Sequence, residues 1–463
     1  MRSKKSATVS MQNANIPLVE SQKVAIRKNL VKGDRMLVQQ VESVEKKTNG
    51  NFVYPQYDQS CISEIPNMIL NLFDARKEKM KLRTENMTCP EGINKVVLLV
   101  IDGFGFKQFI NHLKENRFLT NLTNQGEVYP LTSVFPSQTT NALTTLNTGL
   151  TPQEHGLFEY FIYLKDIGVV NALQFERLGS KLRDRLIDKR FDPSILLLHE
   201  KNIHNTLKEK GISTYTHINA SNAFNVLSKL IFHGSKIIPS IKSSDTVVRL
   251  RKNIEENSGK SAYFFVHIDT LDTIAHQYGP DSYEYSAELS SITYLLNREL
   301  VQKLETKTAK ETLLLVTADH GGLNIDPKET TYLNCLPKAI LNLQVGKNRK
   351  TIMPIGGPRE LFLHIKEEKL VETKEWLVQK IGNKAQIIET KQAAEKGLFG
   401  VGIPDREVFE RTGNLMILPY GNKTVWYENS ETNRISFLGQ HGGLHEEEML
   451  VPFAITKLSN LKE

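Results

Sequence analysis

Acidic and histidine side chains recur at the ends of apolar segments in this sequence of 463 residues. Asp102 follows KVVLLVI, Asp319 and His320 follow TLLLVTA, and Asp272 and His276 come shortly after AYFFVHI. The last two residues are four positions apart, so one helical turn would bring them to the same face. Carboxylate and imidazole ligands together are typical of zinc sites, with manganese as the alternative. The pattern therefore predicts metal binding.

A late histidine, His441, lies between glycines in GQHGG and is the further ligand candidate. His445 competes with His441 but lacks the glycine frame. Asp269 competes with Asp272 but has no histidine four residues later.

A hydroxyl-rich segment, TSVFPSQTTNALTTLNTG, covers residues 132–149. Its second half predicts a short helix from Thr140 to Asn147, closed by Gly149 at the C-cap. A hydroxyl at the start of such a helix lies beside free backbone N–H groups, which attract anions. Ser137 fits this position, and so do the threonines that follow it, although an ordinary helix cap explains the same residues.

Apolar runs bounded by helical patterns predict the elements that position these residues. Five of them are read as strands: 95–102, 213–218, 261–269, 311–319 and 448–455. Their alternation with helical stretches, such as 282–305, predicts an α/β fold with a mostly parallel central sheet and helices on both faces. Residues 345–435 carry a different pattern and predict a small α+β insertion or cap.

The expected organisation has three parts. Residues 1–50 form a basic N-terminal extension whose weak patterning is compatible with partial disorder. Residues 51–344 and 436–463 form a catalytic domain, and the insertion at 345–435 interrupts it. The extension holds ten Lys/Arg and four Asp/Glu, a net charge of +6 out of +7 for the whole chain. A basic arm of this kind can contact nucleic acid or another anionic surface, but the lack of aromatic residues among its charges before Phe52 favours a solvated extension.

Cysteine usage and hydropathy bear on the compartment. The three cysteines, Cys61, Cys89 and Cys335, are odd in number and widely spaced, which argues against a disulfide framework. We also expect no membrane span and no secretory signal, since no apolar stretch approaches the required length. The prediction is a cytoplasmic protein.

Taken in order, the motifs resemble those of the alkaline phosphatase superfamily, most closely its nucleotide pyrophosphatase/phosphodiesterase-like branch. The resemblance covers roughly residues 92–455 through VIDGFG, TTNALTTLNTG, TGLTPQEHG, DTIAHQYGP, TADHGG and GQHGG. It implies an alkaline phosphatase-like fold with two divalent metal ions.

The resemblance also implies roles for individual residues. One metal would be held by Asp272, His276 and His441, and the other by Asp102, Asp319, His320 and Thr139. Thr139 is the implied nucleophile because it lies ten residues before Gly149, the spacing of this superfamily. Thr140 and then Ser137 are the alternatives. The phosphodiesterase branch has its threonine where this chain has Val134, which cannot attack.

The implied function is a two-metal phosphohydrolase, of the phosphodiesterase or nucleotide pyrophosphatase type, that works through a phospho-threonine intermediate. Its substrate would be a small phosphate ester, a nucleotide being one candidate. A phosphomonoesterase or phosphomutase-like enzyme is the alternative, and a protein that binds anions or nucleic acid beside an idle metal site is the alternative from another class. The branch has a phosphate-binding Asn where this chain has Glu159 and Tyr160, and Arg359 is either a source of positive charge or a surface residue.

Overall fold

The structure is a computed structural model. It describes residues 52–75, 91–178, 186, 191–429 and 434–462. The N-terminal extension and its proposed contact with anionic surfaces lie outside the described residues.

A seven-stranded sheet forms the centre of the molecule. Its strands are β1 (Lys95–Ile101), β2 (Glu127–Thr132), β3 (Ser213–Asn219), β4 (Lys236–Ser240), β5 (Ala262–Ile268), β6 (Thr312–Thr317) and β7 (Leu450–Lys457). They lie in the order β2-β7-β6-β1-β5-β3-β4. Only β7 runs antiparallel to its neighbours. The prediction of a mostly parallel sheet is confirmed.

The middle strands are buried along their whole length because helices cover the sheet. Ser243–Glu256 packs against β3, β4 and β5, and Arg117–Gln125 packs against β2 and β7. The other helices of this part are Ile65–Leu72, Phe106–His112, Thr139–Thr148, Pro152–His155, Ile203–Glu209, Val226–Ile231, Thr270–Tyr278, Tyr283–Leu295 with its continuation Leu296–Gln302, Thr306–Lys310 and Glu446–Met449. Continuous apolar strands of this kind are stable only when both faces are covered. In the part of the chain that is described, no helix is long and apolar enough to cross a bilayer.

A smaller antiparallel sheet lies in the predicted insertion. Its strands, in spatial order, are Ile355–Gly357, Glu360–Leu363, Leu415–Pro419 and Ala385–Glu389. The helices Pro337–Leu341, Leu370–Ile381, Thr390–Glu395 and Arg406–Thr412 accompany it. Side chains alternate between the faces of a strand, and Leu361 and Leu363 enter a separate apolar cluster while Phe362 joins the main core. The domain boundaries themselves stay a prediction.

Short strands connect the remaining loops. Phe161–Leu164, Gly168–Asn171 and Glu176–Arg177 form a three-stranded sheet, and Thr331–Tyr332 pairs with Val425–Trp426. Leu323–Asn324 pairs with Gly439–Gln440. This last pairing brings the loop after β6 against the segment that carries His441.

Candidate active site

The carboxyl ends of three adjacent strands, β6, β1 and β5, place the acidic residues predicted from the sequence at one edge of the sheet. Asp319 follows β6, Asp102 follows β1, and the helix Thr270–Tyr278 after β5 carries Asp272. Ligand sites of open α/β sheets form at this edge. The structure brings all seven predicted site residues together here: Asp102, Thr139, Asp272, His276, Asp319, His320 and His441.

Gly103 is required for this close approach. Its φ is +71°, a backbone conformation that residues other than glycine rarely adopt. A Cβ at this position would also lie 2.9 Å from Asp272 Oδ1. The glycine of the DG pair therefore lets two acidic loops come into contact.

The first candidate metal cluster contains Asp102, Asp319, His320 and Thr139. His320 Nε2 lies 3.4 Å from Asp102 Oδ1, 3.3 Å from Asp319 Oδ2 and 3.0 Å from Thr139 Oγ1. Both carboxylate oxygens are buried and accept no hydrogen bond from the described residues. Buried acceptors without donors are costly. A cation between them would remove that cost, so this donor set fits a divalent metal.

The second candidate cluster contains Asp272, His276 and His441. Asp272 Oδ2 lies 3.2 Å from His276 Nε2, and the Nε2 atoms of the two histidines are 3.1 Å apart. Each Nδ1 lies within hydrogen-bond distance of a backbone carbonyl, at 2.9 Å from Gly439 O and 3.0 Å from Ser137 O. Such bonds place the proton on Nδ1 and leave Nε2 free as a metal ligand.

The two clusters adjoin each other. Asp272 also lies within 4.8 Å of the ligand atoms of Asp102 and His320, and the rings of His320 and His441 stack at a centroid distance of 3.6 Å. Burial, followed by the Asp319 carboxylate, raises the pKa of Asp102 well above its usual range. Burial and the neighbouring His320 lower the pKa of His441 to about 3. Crowded buried carboxylates are an arrangement that cations stabilise.

The predicted nucleophile begins a buried helix, Thr139–Thr148, which ends at Gly149 with a φ of +68°. Thr139 is half-buried, whereas every later residue of the helix is buried. Thr144 and Thr148 donate to backbone carbonyls four residues earlier, and Asn147 does the same. These three polar side chains are therefore satisfied within the helix, whereas the Thr139 hydroxyl at its start faces His320 in the site.

Three of the four alternatives left open by the sequence have other hydrogen-bond partners, and the fourth, Thr140, is buried with a hydroxyl that has no partner among the described residues. Ser137 Oγ donates to Gly443 O and accepts from Gly442 N, and Thr140 is buried. His445 Nδ1 accepts from Glu447 N, and Asp269 accepts from Asn219 and Asn222. The geometry thus favours Thr139, His441 and Asp272 over their competitors.

A cavity of about 510 Å³ opens beside Thr139 and both clusters. Much of its wall is apolar, from Leu143, Phe161, Leu173, Ile231, Phe232, Trp426 and Phe437. A hydroxyl group, two clusters of candidate metal ligands and an apolar wall form a cavity that can hold an organic ester.

The model of the type I phosphodiesterase/nucleotide pyrophosphatase family matches residues 96–444. The chain belongs to this family. The family lies within the alkaline phosphatase superfamily and consists of phosphohydrolases, so the chain is a phosphoric ester hydrolase by membership. Comparison with curated protein sequences gave no significant match.

Solved structures share the fold of this phosphodiesterase family member. Murine ectonucleotide pyrophosphatase/phosphodiesterase 5 matches with a TM-score of 0.57 and 18% identity, over 78% of this chain and 87% of its own. The human protein of the same name gives 0.55 and 16%, over 80% and 90%. Phosphonoacetate hydrolase from Sinorhizobium meliloti 1021 gives 0.56 and 15%, over 80% and 91%. These likenesses confirm the alkaline phosphatase-like fold.

This phosphodiesterase family member has a pair of buried carboxyl groups, Glu159, which lines the cavity, and Glu360. Glu360 Oε1 accepts from Gln138 Nε2 and Gly357 N, both at 2.9 Å. Burial raises the pKa of Glu159 to about 7, and burial together with Glu159 raises that of Glu360 well above its usual range. Two adjacent buried carboxyls cannot both ionise, so the pair retains a proton at neutral pH. This proton lies close to Gln138, the residue before Thr139.

Replacing Glu159 with glutamine should change how stability depends on pH. Between the unfolded pKa, near 4.5, and the folded value, about 7, only the folded chain keeps the proton. Stability therefore falls by roughly 1–3 kcal/mol as pH rises through this window. Glutamine stays neutral, so urea unfolding at pH 5 and pH 8 should show a smaller loss for Glu159→Gln than for the wild type. Equal losses would contradict the buried-proton assignment.

Arg359 is not a surface residue, and it does not line the cavity, where it could have supplied positive charge. It is fully buried, and its Nε and Nη2 donate to the two Glu448 oxygens at 2.9 and 2.8 Å. Glu448 also accepts from Gly443 N and His445 N. The pair fixes the small sheet against the loop that carries His441, which makes it part of the scaffold.

His267 is a residue of the site that the sequence reasoning missed. It lies at the end of β5, and its Nε2 is 3.1 Å from Asp102 Oδ2. Its ligand atom also lies within 4.8 Å of one from Asp319. The signal in the sequence is a single polar residue in the apolar run AYFFVHI, which a buried structural histidine explains equally well.

Proposed function

We propose that the chain is a metal-dependent phosphodiesterase or nucleotide pyrophosphatase with Thr139 as its nucleophile. The observation that carries this proposal is the placement of the Thr139 hydroxyl. It begins a buried helix and lies 3.0 Å from His320 Nε2, within the first cluster of candidate metal ligands.

Two divalent ions, zinc by ligand type and manganese as the alternative, fit the donors found here. Asp102, Asp319, His320 and Thr139 would hold one ion, and Asp272, His276 and His441 the other. When bound, the ions would supply Lewis acidity, lowering the pKa of a coordinated hydroxyl and neutralising charge on phosphoryl oxygens.

The reaction then follows from the chain's own residues. Thr139 Oγ gives up its proton to water and attacks phosphorus, so that an O–P bond forms. The bond from phosphorus to the leaving oxygen breaks at the same time, and the alcohol group of the ester departs with that oxygen and takes up a proton from water. The first backbone N–H groups of the helix Thr139–Thr148 have no partner within the helix and point toward the developing charge. Water attacks the phospho-threonine in the second step, which releases the phosphate product and restores the hydroxyl.

A diester with an organic group, such as a nucleotide, is the favoured substrate. The apolar wall beside Thr139 suits a group of that size. A murine relative of this fold was solved as an inactive threonine-to-alanine variant in complex with AMP. The cytoplasmic location stays a prediction.

A paired assay tests the proposal on a sample of known metal content. The substrates are bis(p-nitrophenyl) phosphate, a p-nitrophenyl ester of a nucleoside 5′-monophosphate, and p-nitrophenyl phosphate. We expect both diesters to be cleaved faster than the monoester. Faster cleavage of the monoester would favour a phosphomonoesterase, and metal-loaded protein inert toward all three would refute the proposal.

A further inference from the structure

The starting point is the way in which the two carboxylates of the first metal cluster are held. Asp319 Oδ1 accepts from Gly103 N at 3.2 Å and from His320 N at 3.0 Å, whereas Asp319 Oδ2 accepts nothing from the described residues. One oxygen of Asp319 is thus anchored to the protein. The other is left to face His320 Nε2, 3.3 Å away.

Asp102 shows the same division with a different anchor. Its Oδ1 accepts no hydrogen bond from the described residues and lies 3.4 Å from His320 Nε2. Its Oδ2 lies 3.1 Å from His267 Nε2, and both side chains are almost fully buried. The His267 imidazole does for Asp102 what two backbone N–H groups do for Asp319.

The surroundings of His267 fix which ring nitrogen carries the proton. Nε2 faces a carboxylate oxygen, while Nδ1 is buried and has no hydrogen-bond partner among the residues described. A neutral imidazole has one donor and one acceptor. A carboxylate that binds a metal ion is deprotonated and can only accept, so in the metal-bound protein the proton lies on Nε2, which donates to Asp102.

We propose that His267 is a positioning residue for the first metal site: its Nε2–H holds Asp102 Oδ2 and thereby directs Oδ1 toward the ion. The inference rests on the proposed metal centre but assigns a residue that lies outside its seven ligands. Hydrogen-bond partners of metal ligands set the orientation of those ligands, and their loss typically lowers metal affinity about 10–100-fold.

Three substitutions separate this role from the others that His267 could have. Glutamine places its amide nitrogen near the position of Nε2 and keeps the donor. Asparagine places its amide nitrogen near Nδ1 instead, and leucine removes the donor while it fills the space. Donation predicts that His267→Gln binds metal nearly as the wild type does, and that His267→Asn and His267→Leu bind one ion about 10–100-fold more weakly.

A matched control is available on the neighbouring strand. His217 is also buried, but it lies in register with Val266 and therefore faces the opposite side of the sheet from His267. His217 Nε2 lies 3.2 Å from Asn253 Nδ2, away from the site. His217→Leu should leave the affinity for both ions unchanged.

The measurement is the transfer of zinc from the purified full-length, metal-loaded chain to a chromogenic chelator of known affinity. It needs no substrate, so an enzyme inactive on every ester could still confirm the role of His267. Wild-type affinity in His267→Leu would overturn the inference. So would loss in His267→Gln equal to that in His267→Asn, because His267 would then be a direct ligand; this comparison also decides the matter if the leucine variant does not fold.

Discussion

Thr139→Ala is expected to lower the turnover of phosphodiesters by roughly 10⁴-fold or more while metal binding persists. The substitution removes the oxygen that attacks phosphorus in the proposed first step, and alanine has no group that could form this bond. Alanine is a good helix former, and the Thr139 side chain does not cap its own helix, so the scaffold should remain intact. Steady-state kinetics combined with metal analysis of the same sample checks the result.

Two neighbouring variants make this test specific. Thr139→Ser keeps a hydroxyl at the same place and should therefore retain most of the activity that Thr139→Ala loses. Thr140→Ala removes the next hydroxyl, which is buried and makes no hydrogen bond to the described residues, and should have a small effect. Substantial activity in Thr139→Ala, or a larger loss in Thr140→Ala, would assign the nucleophile elsewhere.

Removal of the metals is the second change with a large expected effect. Dialysis against a chelator should abolish turnover, because the proposed attack on phosphorus and departure of the leaving oxygen both rely on cations, and added zinc or manganese should restore it. Asp319→Asn should have a similar effect without chelator. The substitution neutralises a carboxylate whose Oδ2 has no other partner among the described residues. Activity and metal content, measured over a titration of added ion, check both results.

The control for the carboxylate variant lies close by in sequence. Asp326 is exposed and accepts a hydrogen bond from Lys328 N at the start of a short helical turn. It belongs to neither candidate metal cluster. Asp326→Asn should therefore keep activity and both ions. Full activity in the chelator-treated chain would refute a metal-dependent mechanism altogether.

The strands that the sequence predicted are the ones that hydrophobicity marks without ambiguity. β1, β5 and β6 are fully buried and read as continuous apolar runs. The strands β2 and β4, by contrast, were not predicted. Both contain a proline, Pro130 or Pro239, and both lie at an edge of the sheet, where a missing N–H donor is tolerated. Nor does the local sequence of β7 indicate its antiparallel direction, because direction depends on the path of the chain before it.

The candidate site divides in the same way. Ligands that follow strands in recognisable motifs could be named from the sequence because the order of those motifs is specific. Contacts across long separations could not. His267 and Asp102 are 165 positions apart, and Glu448 meets Arg359 across 89. Such pairs depend on which strands become neighbours and on how the small sheet packs, and no local pattern records either.

The buried helix that begins at Thr139 also has a consequence for how this enzyme can change. Three of its threonine and asparagine side chains, Thr144, Asn147 and Thr148, donate to the helix's own carbonyls, and Gly149 fixes its end. A substitution within this helix would disturb the position of Thr139, the proposed nucleophile, whatever the substrate. Apart from Leu143, the apolar part of the cavity wall comes from other segments, including Phe161, Trp426 and Phe437. Recognition can therefore diversify along those segments while the chemistry stays fixed, and engineering of new specificity should begin there.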